Sequence, residues 1–348
     1  MSALPNSHQA LLKNRERLEG RLAFLGLTHP GLLDQIHTDV LVMTDNAGTR
    51  SLLDRREDCC TAFGYDDPGL IAGAADTVVV FLPKSRAELS MRLSLALWLV
   101  SDGGRVMLVG EKKEGIAGGV GQLRERLPQS RKVDSARHCQ VWLSDAVVPV
   151  GHFQLTDWLQ WHVVERHGVA LDVAGLPGIF SDGELDPGTA MLLDTLAAVP
   201  LAPGKTLDFA CGAGVIGAWW QRFQAQRAGT ACPVDGADVQ FQATACARAT
   251  YDRAKAQGAI VASDGLSAIE GQYQSVVTNP PFHTGIRTDT SVTGQFLQDV
   301  GSHLVKGGEL RLVANRFLPY QALIQQHIGR AVVLAEDRKF IVWSASRS

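Results

Sequence analysis

TLDFACGAGVIGAWW, residues 206–220, runs through apolar residues to Asp208 and then spaces Gly212, Gly214 and Gly217 into a helical pattern. A strand that turns through glycines into a helix is the opening unit of a parallel α/β sheet. Glycine there permits a positive φ and a close approach of backbone to ligand, while the helix start turns free N–H groups outward. The spacing alone, Gly-x-Gly-x-x-Gly, usually suggests a dinucleotide and also occurs as a plain tight turn.

Outward from this loop, periodicity places strands at 206–210, 234–238, 259–262, 275–279, 309–314, 331–335 and 339–344, with helices between most of them, for example 241–256. The last two strands are joined only through AEDR (335–338), too short for a helical crossover. One antiparallel strand is therefore expected at the end of a mostly parallel sheet. The first half repeats the plan. DTVVVFLPK (76–84) is similar to QSVVTNPPF (274–282), and GGRVMLVGEKKEG (103–115) to GGELRLVANRFLPY (307–320). Such an echo implies two copies of one α/β fold in tandem, with the junction near 145–170 and domains at 1–160 and 161–348. The first copy carries Leu82-Pro83-Lys84 where the second has Asn279-Pro280-Pro281-Phe282, and its early part offers only TDNAGTR (44–50). It is expected to be chemically silent.

Composition limits the classes open to the chain. Its 348 residues suit two domains, and 45% apolar with 20% charged residues is ordinary for a soluble globular protein. No apolar run approaches a membrane span, and the N-terminus lacks a secretory h-region, so a cytoplasmic protein without membrane contact is expected. The six cysteines (59, 60, 139, 211, 232, 246) form no Cys-x-x-Cys pair and have no histidine at metal spacing, which predicts buried reduced thiols and no metal site.

Two acids move the glycine loop away from a dinucleotide and towards S-adenosyl-L-methionine. Asp208, just before the loop, would repel a pyrophosphate but suit a cationic aminoacyl end. Asp238, closing the next strand in VDGADVQ (234–240), can accept from both ribose hydroxyls, with Asp235 as the fallback. Asp264 follows the third strand and could take an adenine amino group, or be a surface turn residue. Ala210 and the glycines Gly212 and Gly214 would line the same site.

The fourth strand ends in VVTNPPFHTG (276–285). A Pro-Pro pair cannot continue a ladder, because neither nitrogen donates. The Asn279 side-chain oxygen and the Pro280 carbonyl could instead accept the two hydrogens of a planar exocyclic amine. That would aim the amine lone pair at a methyl donor, by positioning and electrostatics alone. Pro281 would stiffen the acceptor, and Phe282 would stack an unstacked base. Four specified residues match by chance at about 10⁻⁵ per position, so the motif is informative. His283 is a weak candidate base, since the amine proton becomes acidic only as the methyl transfers.

The two motifs together resemble class I S-adenosylmethionine-dependent methyltransferases of the amino-group branch. PGIFSDGELDPGTAMLLDTL (177–196), NPPFHTG (279–285) and GGELRLVANRFLPY (307–320) are similar to the RsmC/RlmG group of ribosomal RNA guanine-N2 methyltransferases. LPKSRAEL (82–89) and RKVDSARHCQVW (131–142) are most similar to its small-subunit, 16S rRNA branch. The resemblance implies two tandem Rossmann-like class I methyltransferase domains, the C-terminal one with a seven-stranded mostly parallel sheet. It further implies a degenerate N-terminal copy without cofactor, and action on 16S rRNA of the 30S subunit; a monomer is the expected state, which the sequence does not fix. Phe180, Asp186 and Gly188 match positions that close over the cofactor, although Asp186 before Pro187 equally reads as a helix N-cap.

From Lys84 to Arg137 there are eleven Lys/Arg against six Asp/Glu, in a chain whose net charge is −3. Lys84, Lys112, Lys113, Arg131 and Lys132 are the candidate phosphate contacts, which solvated helix faces would also explain. Three other readings stay open. A DNA adenine or protein glutamine enzyme more often has tyrosine where Phe282 stands. A large-subunit guanine enzyme shares the group, and a non-catalytic RNA-binding factor could share the scaffold.

Overall fold

The structure is a computed structural model that describes residues 3–36, 38–180, 185–280 and 290–348. Its contacts divide the chain into Met1–Leu159 and Gln160–Ser348.

In the first unit, helix α1 (Asn6–Lys13) precedes β1 (Leu22–Leu25), β2 (Val40–Thr44), α2 (Ala47–Leu53), β3 (Cys59–Phe63) and β4 (Ala75–Phe81). Then come α3 (Arg86–Leu99), β5 (Val100–Glu111), α4 (Ile116–Arg126), β6 (Arg131–Asp134) and β7 (Cys139–Val147). The seven strands lie in the order β3-β2-β1-β4-β5-β7-β6.

The second unit opens with a hairpin, β8 (Gln160–Arg166) and β9 (Val169–Gly175), which periodicity did not anticipate. Next come α5 (Pro187–Ala198), β10 (Thr206–Phe209), α6 (Val215–Ala228), β11 (Val234–Asp238), α7 (Phe241–Ala254), β12 (Ile260–Ala262) and β13 (Tyr273–Thr278). The unit ends with α8 (Thr290–His303), β14 (Leu304–Asn315), α9 (Tyr320–His327), β15 (Ala331–Glu336) and β16 (Phe340–Ser346). The order β12-β11-β10-β13-β14-β16-β15 repeats the first sheet strand for strand.

The expected tandem pair of α/β domains is therefore present, the second with the expected seven-stranded, mostly parallel sheet and the first with seven strands as well, with one correction. The reversed strand is not at the sheet's end. β16 runs antiparallel to both β14 and β15 and lies between them, leaving β15 on the edge. A short hairpin places its two strands side by side, and the later strand took the inner position because it is the more apolar: FIVW (340–343) is buried, while Val332 and Val333 are exposed.

The likeness of the units extends to a shared distortion. β5 and β14 each bend at paired glycines, where Gly103 and Gly307 have φ of 73° and 75°. The neighbouring strand slips register at the same place, between Ala75 and Thr77 and between Tyr273 and Ser275. A β-carbon at Gly308 would lie 2.9 Å from the Val305 carbonyl oxygen, so the bend requires glycine there.

Pairing register makes the two units comparable residue by residue. Leu22 pairs with Val40 and Thr77 as Thr206 pairs with Val234 and Ser275. Counting along the strands, Gly26 corresponds to Ala210, Asp45 to Val239, Tyr65 to Asp264 and Phe81 to Asn279. Counting back from the helix ends, Arg92 of α3 corresponds to Phe296 of α8. One element differs in kind. Where the second unit has α6, a full helix, the first has only a 3₁₀ turn at Pro30–Gln35.

The core of the second unit gathers Val276, Leu297, Val300, Leu310, Leu312 and Ile324 from the sheet and from α8 and α9. The β8–β9 hairpin is fixed to α6 and α7: Trp219 Nε1 donates to the Arg166 carbonyl and Ala174 N–H to the Thr250 hydroxyl. All six cysteines are free thiols, but only Cys139, Cys211 and Cys246 are buried, and Cys60 is exposed. Among the described residues, no helix is long and apolar enough to cross a membrane, and no group of three metal-ligating side chains occurs.

Candidate active site

The glycine loop is built as its sequence demands. β10 ends at Phe209, and Ala210, Gly212 and Gly214 all take positive φ, 55°, 52° and 78°. Gly214 is the α6 N-cap, and a β-carbon there would lie 3.1 Å from Ala247. Two carboxylates brace the loop. Asp238 accepts the Gly212 N–H at 3.0 Å with one oxygen and the Gln240 N–H at 3.0 Å with the other. Asp208, wholly buried, accepts the Gly217 N–H of α6 at 3.1 Å. Its second oxygen has no hydrogen-bond partner among the described residues. Burial pushes the Asp208 carboxyl up to about 8, and burial also raises that of Asp238.

Two cavities flank the loop, and Ala210 lines both. One, of about 290 Å³, is walled by Phe209, Asp238, Asp264, Leu266, Gln295 and Phe296. The Phe209 and Phe296 rings lie 4.6 Å apart in its wall. The other is lined by Phe180, Asp186, Thr189, Gly212, Ala213 and Asn279. Sequence-predicted residues thus gather here from five separate segments. Asp186, Asp238 and Asp264 line the two cavities together with Asp299, whereas among the described residues no lysine or arginine does. Among the described lining residues a pyrophosphate has no cation to meet, while ribose hydroxyls and a positively charged sulfonium end suit the carboxylate acceptors.

Four expectations change. Gly214 lines neither cavity: it is the α6 N-cap, close against Ala247 and Tyr251 of α7. Asp208 lines neither cavity: its side chain turns under the loop to cap α6 and cannot face a ligand's aminoacyl end directly. Asp235, the fallback acid, is taken up by Lys205 at 2.8 Å, Tyr273 at 2.9 Å and the Ala259 N–H at 2.9 Å. Gly188 lines neither cavity; a β-carbon there would lie 2.9 Å from Asp186 Oδ2 and 3.1 Å from the Phe340 ring, so the glycine makes room for the Asp186 carboxylate and for Phe340.

Asn279 stands at the C-terminal edge of β13, where open α/β sheets bind their ligands. Its Nδ2 donates to Asp186 Oδ2 at 3.0 Å and to the Thr189 hydroxyl at 2.9 Å. Asp186 is also the N-cap of α5, accepting the Thr189 N–H at 3.0 Å, with Pro187 at the first helical position. The capping reading of Asp186 and its place in the site are both realised, by the same oxygen. Pro280 is buried; Pro281, Phe282 and His283 lie outside the described residues. The sequence reading missed Thr189, although its place three residues after an N-cap acid could have marked it. It also missed Arg311 on β14, which donates to the Thr195 and Val199 carbonyls at the other end of α5.

At the matching positions of the first unit the cavity is filled. Arg92, buried, donates to the Tyr65 hydroxyl at 3.1 Å, the Phe81 carbonyl at 2.8 Å, Asp45 at 2.9 Å and Glu88 at 2.6 Å. Gly26 leaves room for the guanidinium: a β-carbon there would overlap Arg92 Nη1. Gly26, Asp45, Tyr65 and Arg92 correspond to Ala210, Val239, Asp264 and Phe296, all of which line the larger cavity of the second unit. A self-satisfied polar cluster thus occupies the space that the second unit leaves open.

The family model described as "Methyltransferase small domain" matches residues 170–344, and "Methyltransferase small domain N-terminal" matches residues 8–162. A relative from Pseudomonas putida (strain W619), named ribosomal RNA small subunit methyltransferase C, is 38% identical over 97% of this chain and 98% of its own. One of the same name from Hahella chejuensis (strain KCTC 2396) is 35% identical over the full length of both. The chain belongs to the ribosomal RNA small subunit methyltransferase C family. A solved structure described as the T. thermophilus 16S rRNA N2 G1207 methyltransferase, in complex with AdoMet and guanosine, has the same fold. Its TM-score is 0.85, at 23% identity, over 99% of this chain and 92% of that one.

In this chain the five candidate phosphate contacts do not form one patch. Lys84, Lys112 and Lys113 follow β4 and β5 at the sheet edge that carries the active site in the other unit. Arg131 and Lys132 lie on the edge strand β6. Lys113 pairs with Glu111 and Arg131 with Asp145, whereas Lys84, Lys112 and Lys132 are exposed without ion pairs among the described residues.

Proposed function

We propose that this protein transfers a methyl group from S-adenosyl-L-methionine to the exocyclic N2 of a guanine in 16S rRNA, acting in the cytoplasm as a monomer on the small ribosomal subunit. Membership of the small subunit methyltransferase C family supports the substrate class. The observation that carries the chemistry is Asn279, in the wall of a cleft that it shares with Asp186 beside the glycine loop, with no lysine or arginine among the described lining residues.

Asp238 and Asp264 would hold the cofactor's ribose and adenine, between the Phe209–Phe296 pair and the loop. Asp208 would act through the loop by fixing the start of α6. When bound, S-adenosylmethionine supplies an electrophilic methyl group on its sulfonium. Asn279 presents Oδ1 and Pro280 its carbonyl oxygen as acceptors for the two N–H hydrogens of the guanine amine. Held so, the nitrogen lone pair leaves conjugation with the ring and is aimed, which lowers the barrier by orientation and electrostatics. The amine proton becomes acidic once the nitrogen is alkylated, so no strong base is required. The first unit, its cavity filled by Arg92, would contribute RNA contacts and support.

The test is incubation with labelled S-adenosylmethionine and separated 30S and 50S particles from a strain lacking the enzyme, followed by mapping of the methylated base. Label in a 16S guanine N2 is expected. Incorporation only into 50S particles would overturn the assignment.

A further inference from the structure

We propose that Thr189, together with Asp186, is a positioning residue that locks the Asn279 side chain in the orientation needed for amine recognition; this rests on the reading of Asn279 given above. An asparagine amide has two faces of opposite character, and a turn of half a circle about its last bond exchanges acceptor for donor. Presented the wrong way, Asn279 would offer N–H to a guanine amine that itself has only N–H to give.

The surroundings decide which way it points. Asp186, as a carboxylate, can only accept, so the group 3.0 Å from it must be the Asn279 NH₂. Thr189 takes the second N–H at 2.9 Å. With both hydrogens engaged, Oδ1 is left to the substrate. The same Asp186 oxygen accepts the Thr189 backbone N–H, so helix cap and amide lock are one unit. Arg311 holds the far end of α5 by donating to its last carbonyls.

The first unit gives an independent argument. Thr189 is the third residue after the α5 N-cap, and His8 is the third after the α1 N-cap, Pro5. Phe81 stands where Asn279 does. In the first unit these two positions form an aromatic stack, with ring centroids 4.6 Å apart. Burial holds the His8 ring neutral, lowering its titration to about 4. The frame therefore brings these two positions together in both units. Only the unit with an open cavity fills them with an amide and a hydroxyl.

The experiment uses the full-length protein with 30S particles at saturating S-adenosylmethionine, and compares N279A, T189V, T189S and D186N. Thr189→Val keeps shape and removes the hydroxyl. Asp186→Asn keeps a good N-cap but can donate to Asn279 Oδ1, which lets the amide turn. Expected are a fall in kcat of about tenfold for T189V and about a hundredfold for D186N, with the KM for 30S changed less than about threefold and recovery in T189S. As a readout separate from turnover, ¹⁵N-asparagine labelling should show a slowly exchanging side-chain NH₂ pair that is absent in N279A and exchanges faster in T189V, while the pair of buried Asn14, engaged by Ala10 and Asp134, stays slow in all variants. If N279A loses activity while T189V and D186N keep wild-type kcat and slow exchange, the lock is refuted and the Asn279 reading stands. If N279A itself stays active, the Asn279 reading falls, and the lock with it.

Discussion

Arg311 Nη1 lies 2.6 Å from the carbonyl oxygen of Val199, at the C-terminal end of α5. Its guanidinium is almost wholly buried, and Glu309, 2.8 Å from Nη2, balances its charge. A cation there donates to the Val199 carbonyl, shares the Thr195 carbonyl with the Val199 N–H, and complements the helix dipole. It thereby anchors the helix whose other end holds Asn279. Arg311→Leu takes the cation away from Glu309, which keeps only the Ser344 hydroxyl, and removes the donor to the buried end of α5, for which a cost of about 3 kcal/mol is expected. Thermal melting of the second unit should fall by roughly 6–12 °C, and kcat should fall even at temperatures where the variant is fully folded.

Asp208 makes stability depend on pH. Its folded carboxyl titrates near 8, against about 4 in an unfolded chain. The proton is thus held more tightly when folded. The resulting stability is complete below about pH 4 and is lost as pH rises towards 8. Asp208→Asn carries no such proton. Melting curves from pH 5 to 8, without cofactor, should show a flatter slope for D208N than for the wild type; parallel slopes would count against a buried neutral acid.

Asp238 and Asp235 separate ligand binding from folding. Asp238 borders the cavity and braces Gly212, whereas Asp235 is occupied by Lys205 and Tyr273. Asp238→Ala should weaken S-adenosylmethionine binding by tenfold or more, measured by calorimetry, or at least about 1.4 kcal/mol. Asp235→Asn should leave the affinity within about twofold and act on stability instead.

Lys84, Lys112 and Lys132 are exposed and have no ion pair among the described residues. Reversing all three should weaken binding of 16S rRNA fragments and flatten the plot of log affinity against log salt by about 0.7 per lost contact. Reversing Lys113 and Arg131, which already face carboxylates, should do less. An unchanged salt slope in the triple variant would remove the first unit from the RNA-binding surface.

Much of this molecule was legible in its sequence because parallel strands are nearly continuous apolar runs punctuated by glycine and proline. The seven strands of the second half lie within a few residues of their predicted places, and the echo between DTVVVF and QSVVTN is a true equivalence of β4 and β13. Asp238 and Asn279 could be named because a charge or an amide closing an apolar strand is conspicuous. The β8–β9 hairpin was hidden because its outward residues, Trp161 and Val163, are themselves apolar and exposed, which blurs the alternation. Thr189 and Arg311 were hidden for another reason. Each acts on a partner roughly a hundred positions away, and local pattern carries no sign of such a contact.

The Arg92 cluster has a thermodynamic consequence. A cavity filled by its own side chain behaves as though saturated with a ligand whose concentration can never vary. Linkage then gives the two halves opposite characters: added S-adenosylmethionine should raise the free energy of unfolding of the second unit by RT ln(1 + [L]/Kd) and leave the intrinsic stability of the first unmoved. One half of the chain reports the supply of methyl donor in its own rigidity, and the other is indifferent to it.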